Sequence, residues 1–293
     1  MTDHESDLLN LLSRLKHVET LVGEIRSLVG PFGTMFPDGT MLVQTIHGLK
    51  YFIDPNDEIM APQLVVYRQW EPDLSRYISS SVTPDTVFVD VGANFGYFTC
   101  LAASKIGSNG GGRVISIEPN PAMQRLLKKN IRINWSMGKV EIHDCAITER
   151  TGYVDFCVPS GRAANASVAT LSSSEEGHFI VPSKSLDELI LHDKVDLMKI
   201  DVEGFETAVL RGGRGVIGRS NDIQIVLEWS VAQMKSAGFG VDELLQLLIE
   251  QRLSVYHLPP NRFIDEAEWR KLKIEAEALK EIQYDNLLLR RNL

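Results

Sequence analysis

The sequence predicts an α/β fold built on a mostly parallel sheet, and three observations carry that prediction. Short β-branched strands alternate with helical segments from Val87 to the C-terminus, the order that yields parallel strands covered on both faces. The first of these strands, Val87-Phe88-Val89-Asp90-Val91, runs into the turn Gly92-Ala93-Asn94-Phe95-Gly96, which opens an apolar helix through Tyr97, Phe98 and Thr99. The next strand, Val114-Ile115-Ser116-Ile117, ends on Glu118. In such a half-sheet glycine lets the backbone approach a ligand, the helix N-terminus favours anionic groups, and the strand-end acid takes ribose hydroxyls.

Residues 5–29 read as a helix with a heptad seam. Leu8, Leu15, Val22 and Val29 hold one position and Leu11, Val18 and Ile25 the other, in the unbroken three-four alternation of a supercoiled helix. Leu12, Leu21 and Leu28 widen the stripe, so the helix either pairs between chains or folds onto its own domain. Gly30-Pro31-Phe32-Gly33 stops it. A β-hairpin follows from Thr40 to about Asp57, then helical sequence over 64–80 leading into Pro84. The expected division is a coiled-coil-like helix over 1–30, a small hairpin and helix cap over 31–84, and an α/β domain over 85–293.

Within that domain the pattern predicts strands at 87–91, 113–118, 139–146, 195–201, 222–228, 253–258 and 284–290. Helices are predicted at 96–106, 121–134, 185–192, 205–217, 241–251 and 265–281. A pair of short strands falls around 153–158. Segment 160–178, poor in large apolar residues, reads as a mobile loop able to act as a lid, and His178 within it is the histidine nearest to a substrate role.

Composition narrows the function. The 293 residues suffice for one large α/β domain with appendages. A net charge of −9 without a basic run argues against a nucleic-acid partner. Cys100, Cys145 and Cys157 form no Cys-x-x-Cys pair, which suggests reduced core cysteines in a cytoplasmic protein rather than disulfides or zinc. No apolar run is long enough to span a membrane.

The turn also selects a cofactor. A dinucleotide fingerprint needs glycine two positions after Gly92, where the backbone meets a pyrophosphate, and that position holds Asn94. An adenosyl ligand without phosphates fits better, which points to S-adenosylmethionine rather than NAD. The cofactor set read from the chain comprises Asp90, Gly92, Asn94, Gly96 and Phe98, then Glu118, Pro119 and Asn120. Asp144 and Cys145 join it at the end of the third strand, where Asp144 can accept from an adenine amino group or serve as a turn residue, and Lys199 and Asp201 complete it.

The second informative stretch is Lys199-Ile200-Asp201-Val202-Glu203-Gly204-Phe205-Glu206. Ligands of open parallel sheets sit beyond the carboxyl ends of the strands, so Asp201 projects toward the mouth that Gly92 and Glu118 share. Glu228, ending Ile225-Val226-Leu227-Glu228, faces the same way. Asp201 is the first candidate for a catalytic carboxylate and Glu203 the second, with Glu71 or Glu228 positioning the acceptor. Clustered acids also suit a divalent cation, but no metal-spacing motif is present, so a metal is not expected.

These stretches, with Trp70-Glu71-Pro72, Glu118-Pro119-Asn120-Pro121 and Ser185-Leu186-Asp187-Glu188-Leu189, resemble the FkbM-type S-adenosylmethionine-dependent methyltransferases over roughly residues 50 to 290. The resemblance implies a class I methyltransferase fold, Rossmann-like, with a seven-stranded sheet whose last strand is antiparallel. It also implies methyl transfer to a hydroxyl of a sugar, glycan or polyketide-like product, with Asp201 near that hydroxyl. The heptad helix lies outside the resemblance and predicts a homo-oligomer. Two rival readings are an NAD-dependent oxidoreductase, for which no hydride-site pattern is present, and a non-catalytic scaffold recruited through the helix.

Overall fold

The computed structural model describes residues 11–12, 14–22, 25, 33–136, 139–157, 167–168 and 178–291. A small antiparallel sheet comes first, with β1 (Gly33–Met35), β2 (Met41–Gln44) and β3 (Lys50–Ile53) in that spatial order. The expected hairpin is β2–β3, and β1 adds a third strand against β2. The helical stretch expected over 64–80 is two helices, Met60–Val66 and Pro72–Ser81. The break falls at Glu71, whose φ of 39° cannot continue a helix, and Pro72 then starts the second helix where its missing N–H costs nothing.

The central sheet contains β4 (Val87–Val91), β5 (Arg113–Ile117) and β6 (Val140–His143). A side sheet is built from β7 (Ala146–Ile147), β8 (Gly152–Cys157), β9 (Ser167–Val168) and β10 (His178–Lys184). The central sheet resumes with β11 (Leu197–Ile200), β12 (Gln224–Ser230), β13 (Leu253–His257), β14 (Lys273–Ile274) and β15 (Tyr284–Arg291). Its order is β14-β13-β15-β12-β11-β4-β5-β6. β15 runs antiparallel to both neighbours, as expected for the last strand. This is a class I methyltransferase α/β fold with a mixed central sheet.

The sheet has eight strands rather than seven. The eighth, β14, lies inside the segment expected to be one helix over 265–281. That segment instead forms helices Glu266–Leu272 and Ala276–Leu279 on either side of Ile274, which pairs with Val255 at the sheet edge. The helix expected over 205–217 is likewise divided at Gly213. The third strand ends at His143, and Ala146–Ile147 belongs to the side sheet. β10, which pairs with β7 and β8, escaped the sequence reading because its alternation is broken by Pro182. Most of the segment expected to be a lid, and the side chain of His178, lie outside the described residues.

Alternation within the central strands divides the core in two. Phe88, Val114, Leu197, Val226 and Leu288 pack on one face with helices Tyr97–Ile106 and Pro121–Ile133, with Leu74, Tyr77 and Ile78 of Pro72–Ser81, and with Val43, Tyr51, Phe52 and Ile53 of the small sheet. Val89, Ile115, Met198, Ile225 and Leu287 pack on the other with helices Glu206–Gly212 and Val241–Glu250. At the N-terminus, residues 11–12, 14–22 and 25 are helical. Leu11, Leu15, Val18, Val22 and Ile25 are between 46% and 58% exposed, so this stripe does not pack into either core.

Asn130 fixes the small sheet to the domain. It is fully buried, accepts from the Phe52 N–H at 2.6 Å and donates to the Phe52 carbonyl at 3.0 Å and the Phe95 carbonyl at 2.8 Å. One side chain thereby joins β3, helix Pro121–Ile133 and the glycine turn. Asn130→Ala leaves three backbone groups without these partners and should lower unfolding stability by about 2–3 kcal/mol. The check is a fall in the urea midpoint at unchanged slope.

Candidate active site

The strand order reverses between β4 and β11: β5 and β6 lie on one side, β12 on the other. At such a switch point the loops after the two strands diverge and leave a crevice at their carboxyl ends. Gly92 follows β4 with φ 80°, and a Cβ there would lie 1.8 Å from the Asp201 carbonyl oxygen. Its N–H and that of Ala93 both donate to the Ile117 carbonyl at 3.0 Å. Only glycine allows the loops after β4, β5 and β11 to meet this closely.

One end of the resulting cavity, whose volume is about 250 Å³, is built around Glu118. Its Oε2 accepts from the Asn94 N–H and its Oε1 from the Asn120 N–H, each at 2.7 Å. Burial pushes the carboxyl up to about 7 against the pull of those two donors. Asn94 sits at φ 53°, a left-handed conformation that asparagine tolerates better than other side-chain-bearing residues. Its Oδ1 accepts from the Phe95 N–H at 2.7 Å. Asn120 also caps helix Pro121–Ile133, accepting from the Ala122 N–H at 2.9 Å.

The other end is acidic around one buried cation. The Lys199 ammonium donates to Asp201 Oδ2 at 2.9 Å and to the Gly92 carbonyl at 3.4 Å, and lies 4.0 Å from Asp90 Oδ1. Burial alone would lower the lysine, but Asp201 and Asp90 outweigh it and hold the ammonium above the ordinary range. Asp90 is itself fully buried and accepts from the Thr99 hydroxyl at 2.6 Å. Burial, then the Asp201 charge, pushes Glu71 up to about 7. Glu228 is 9% exposed and accepts from the Tyr284 hydroxyl at 3.0 Å through Oε1, while Oε2 has no donor. Burial first, then Asp201, Glu203 and Glu206, push it up to about 10. Glu203 stands at φ 55° and accepts from the Gln233 side chain.

All four candidate catalytic acids, Asp201, Glu203, Glu71 and Glu228, line this cavity. So do Gly92, Asn94, Phe98, Glu118, Pro119, Cys145 and Lys199. Asp90, Gly96 and Asn120 stand behind the wall and orient it. Asp144 is exposed and outside the described lining, and the adjacent, buried Cys145 lines the cavity where the chain turns after β6. Among the described residues, no three His, Cys, Asp or Glu side chains form a group able to hold a metal ion.

The sequence reading missed several aromatic lining residues. Trp70 is held by its own N–H donating to the Tyr97 hydroxyl at 3.2 Å, and Ser75 donates to the same oxygen at 3.2 Å. Phe156 enters from the side sheet and Tyr284 from the start of β15. A polar aromatic at a strand end next to a mouth of acids was the available signal for Tyr284. Phe156 had none, because nothing local shows that β8 folds back over the cavity.

Residues 90–256 match the family model described as the methyltransferase FkbM domain. A hexuronic acid methyltransferase, AglP of Haloferax volcanii, is 29% identical over 196 residues, 66% of this chain and 73% of that protein. Among solved structures, a methyltransferase FkbM from Methylobacillus flagellatus aligns at 18% identity and a TM-score of 0.45, covering 75% of this chain and half of that one. The structure of M. jannaschii TYW2 in complex with AdoMet aligns at 13% identity and a TM-score of 0.45, covering 89% of both chains.

Below Asp201, Glu206 fastens the turn. Its Oε1 accepts from the N–H groups of Val202 at 3.2 Å and Gly204 at 3.1 Å, while Oε2 is unpartnered. Burial pushes it up to about 7 despite those donors. A carboxyl raised by folding binds its proton more tightly in the native state, so its contribution to stability falls as pH rises from about 4.5 to 7. Glu206→Gln keeps an oxygen for both donors and removes the ionisation. Relative to wild type, it should gain on the order of 1–3 kcal/mol across that interval, read as the difference between urea midpoints at pH 4.5 and 8.

Proposed function

The chain belongs to the methyltransferase FkbM domain family and is a methyltransferase, and we propose that it uses S-adenosylmethionine to methylate a hydroxyl of a sugar-containing acceptor. The observation that carries this reading is the single cavity at the switch point, with a ribose-type acid at one end and Asp201 at the other. The sugar is supported by the hexuronic acid methyltransferase, which is similar over most of its length. The family membership sets the NAD-dependent oxidoreductase aside.

The residues present suit the cofactor. A carboxylate offers about four lone-pair sites, and the two backbone donors to Glu118 leave acceptor capacity for ribose hydroxyls. Gly92 lets the loop after β4 close against Asp201, and Asn94, Pro119 and Cys145 line that end. When bound, the cofactor supplies an electrophilic methyl group on a sulfonium. The chain's own work is alignment, exclusion of water and management of one proton. Asp201, oriented by the Lys199 ammonium, accepts the proton of the acceptor hydroxyl. Glu203, fixed by Gln233, stands beside it, and Glu71 and Glu228 position the acceptor.

The two ends separate by experiment. Glu118→Ala should weaken S-adenosylhomocysteine binding by about 1.5–3 kcal/mol. Asp201→Asn should leave that affinity nearly unchanged and lower turnover at least tenfold, as loss of a group acting in the transition state does. Calorimetry and a methyl-transfer assay with and without a chelator read the three quantities. Wild-type turnover by Asp201→Asn would make Asp201 structural.

The N-terminal helix supports a second part of the proposal, self-association. A lone helix of this length is marginal in water, and its apolar stripe is exposed. Arg14 and Glu19 flank the seam on opposite sides, the positions that face each other between parallel helices and there carry opposite charges. We therefore place a second copy of the chain, in parallel, on this stripe, with the helix pair spacing the catalytic domains. Leu15→Asp with Val22→Asp should dissociate it, measured as molar mass by light scattering. A monomeric wild type at micromolar concentration overturns the pairing.

A further inference from the structure

The charge around the acceptor end selects among sugars. Resting on the sugar-hydroxyl reading above, we propose that the acceptor ring is uncharged and hydroxyl-rich, and that a ring carrying a carboxylate is refused. Five carboxyls, those of Glu71, Glu118, Asp201, Glu203 and Glu228, line the described cavity against one ammonium, Lys199. The one ammonium among them is committed. It touches Asp201 at 2.9 Å and the Gly92 carbonyl at 3.4 Å, stands 4.0 Å from Asp90, and has the Phe98 ring 5.4 Å away. With its side chain 4% exposed, it has no face left for an incoming anion.

Glu228 is the independent sign of a ligand. It is more than nine-tenths buried, lines the cavity, and its Oε2 meets no donor, although Tyr284 satisfies Oε1. A buried polar atom left without a partner costs stability, and a hydroxyl of a bound sugar removes that cost. Glu71 Oε2 is unpartnered in the same way at the Trp70 side of the cavity. Each sugar hydroxyl has one donor and two acceptor sites, so it can meet either carboxyl whether protonated or not. A carboxylate has no donor, so it cannot pair with an ionised carboxyl as a hydroxyl can. Burial first, then the Asp201, Glu203 and Glu206 charges, raise Glu228 to about 10, and another anion adds to the charge part of that rise.

The rings of Trp70 and Tyr284 complete the complementarity. They present an apolar body beside the polar carboxyls, the mixture a pyranose with one C–H face requires. The acceptor specificity thus differs from that stated for the hexuronic acid methyltransferase, even though the two chains are similar.

The test uses the full chain, S-adenosylmethionine and a panel of p-nitrophenyl hexosides, each matched to the uronide that differs only in carrying a carboxylate at C6. Products are read by mass spectrometry as relative kcat/KM. At least tenfold preference for the uncharged member of a pair is expected. Glu71→Lys, which places a cation at the acceptor end, should move that ratio toward the uronide, while Glu71→Gln should move it less. Equal or faster transfer to the uronide by wild type overturns the charge inference alone. Transfer to no member of the panel, with S-adenosylhomocysteine still bound, overturns the sugar reading and this inference with it.

Discussion

Everything at the switch point depends on one buried ammonium. Lys199 is the last but one residue of β11, inside a sheet where a bare charge would be expelled. It is retained because β4 contributes Asp90 and the loop after β11 contributes Asp201, while the Gly92 carbonyl closes the gap between them. The ion pairs join the two strands at the point where their connections part. Removing the lysine would leave two carboxylates facing each other, which is far more costly than the pair is stabilising. The same cation therefore fixes the glycine turn at the proposed cofactor end and orients the acid at the proposed acceptor end.

The legible parts of this arrangement were local. The β4 turn, the acid ending β5 and the Lys-Ile-Asp-Val-Glu-Gly stretch each announce their place through strand periodicity followed by residues that end strands. The antiparallel last strand followed from the family resemblance. What the chain hid was set by distant pairing. Ile274 became a sheet residue because Val255 was available to pair with it, in a segment whose own pattern is helical. Pro182 disguised β10, which is held by β7 and β8 on either side.

The aromatic side of the site was hidden for a related reason. Tyr97 opens a helix and would ordinarily be credited to the core, but its hydroxyl holds the Trp70 backbone and the Ser75 side chain, while its carbonyl accepts from Tyr51 at 3.0 Å. Ile59, Met60, Trp70 and Glu71, in or beside the helices before β4, thus form part of the wall, although they lie outside the residues 90–256 that carry the family match.

The stub of strand at the sheet margin has its own consequence. A sheet edge is a template for neighbouring molecules, and β13 would offer five residues of unpaired backbone on that side. Two residues of β14, pinned at Val255–Ile274 and Tyr256–Lys273 and followed at once by a helix, occupy it. What remains outward is too short to nucleate a ladder, and Lys273 adds a charge where an intruding strand would dock. Concentrated solutions of this protein should accordingly resist edge-to-edge growth on that margin.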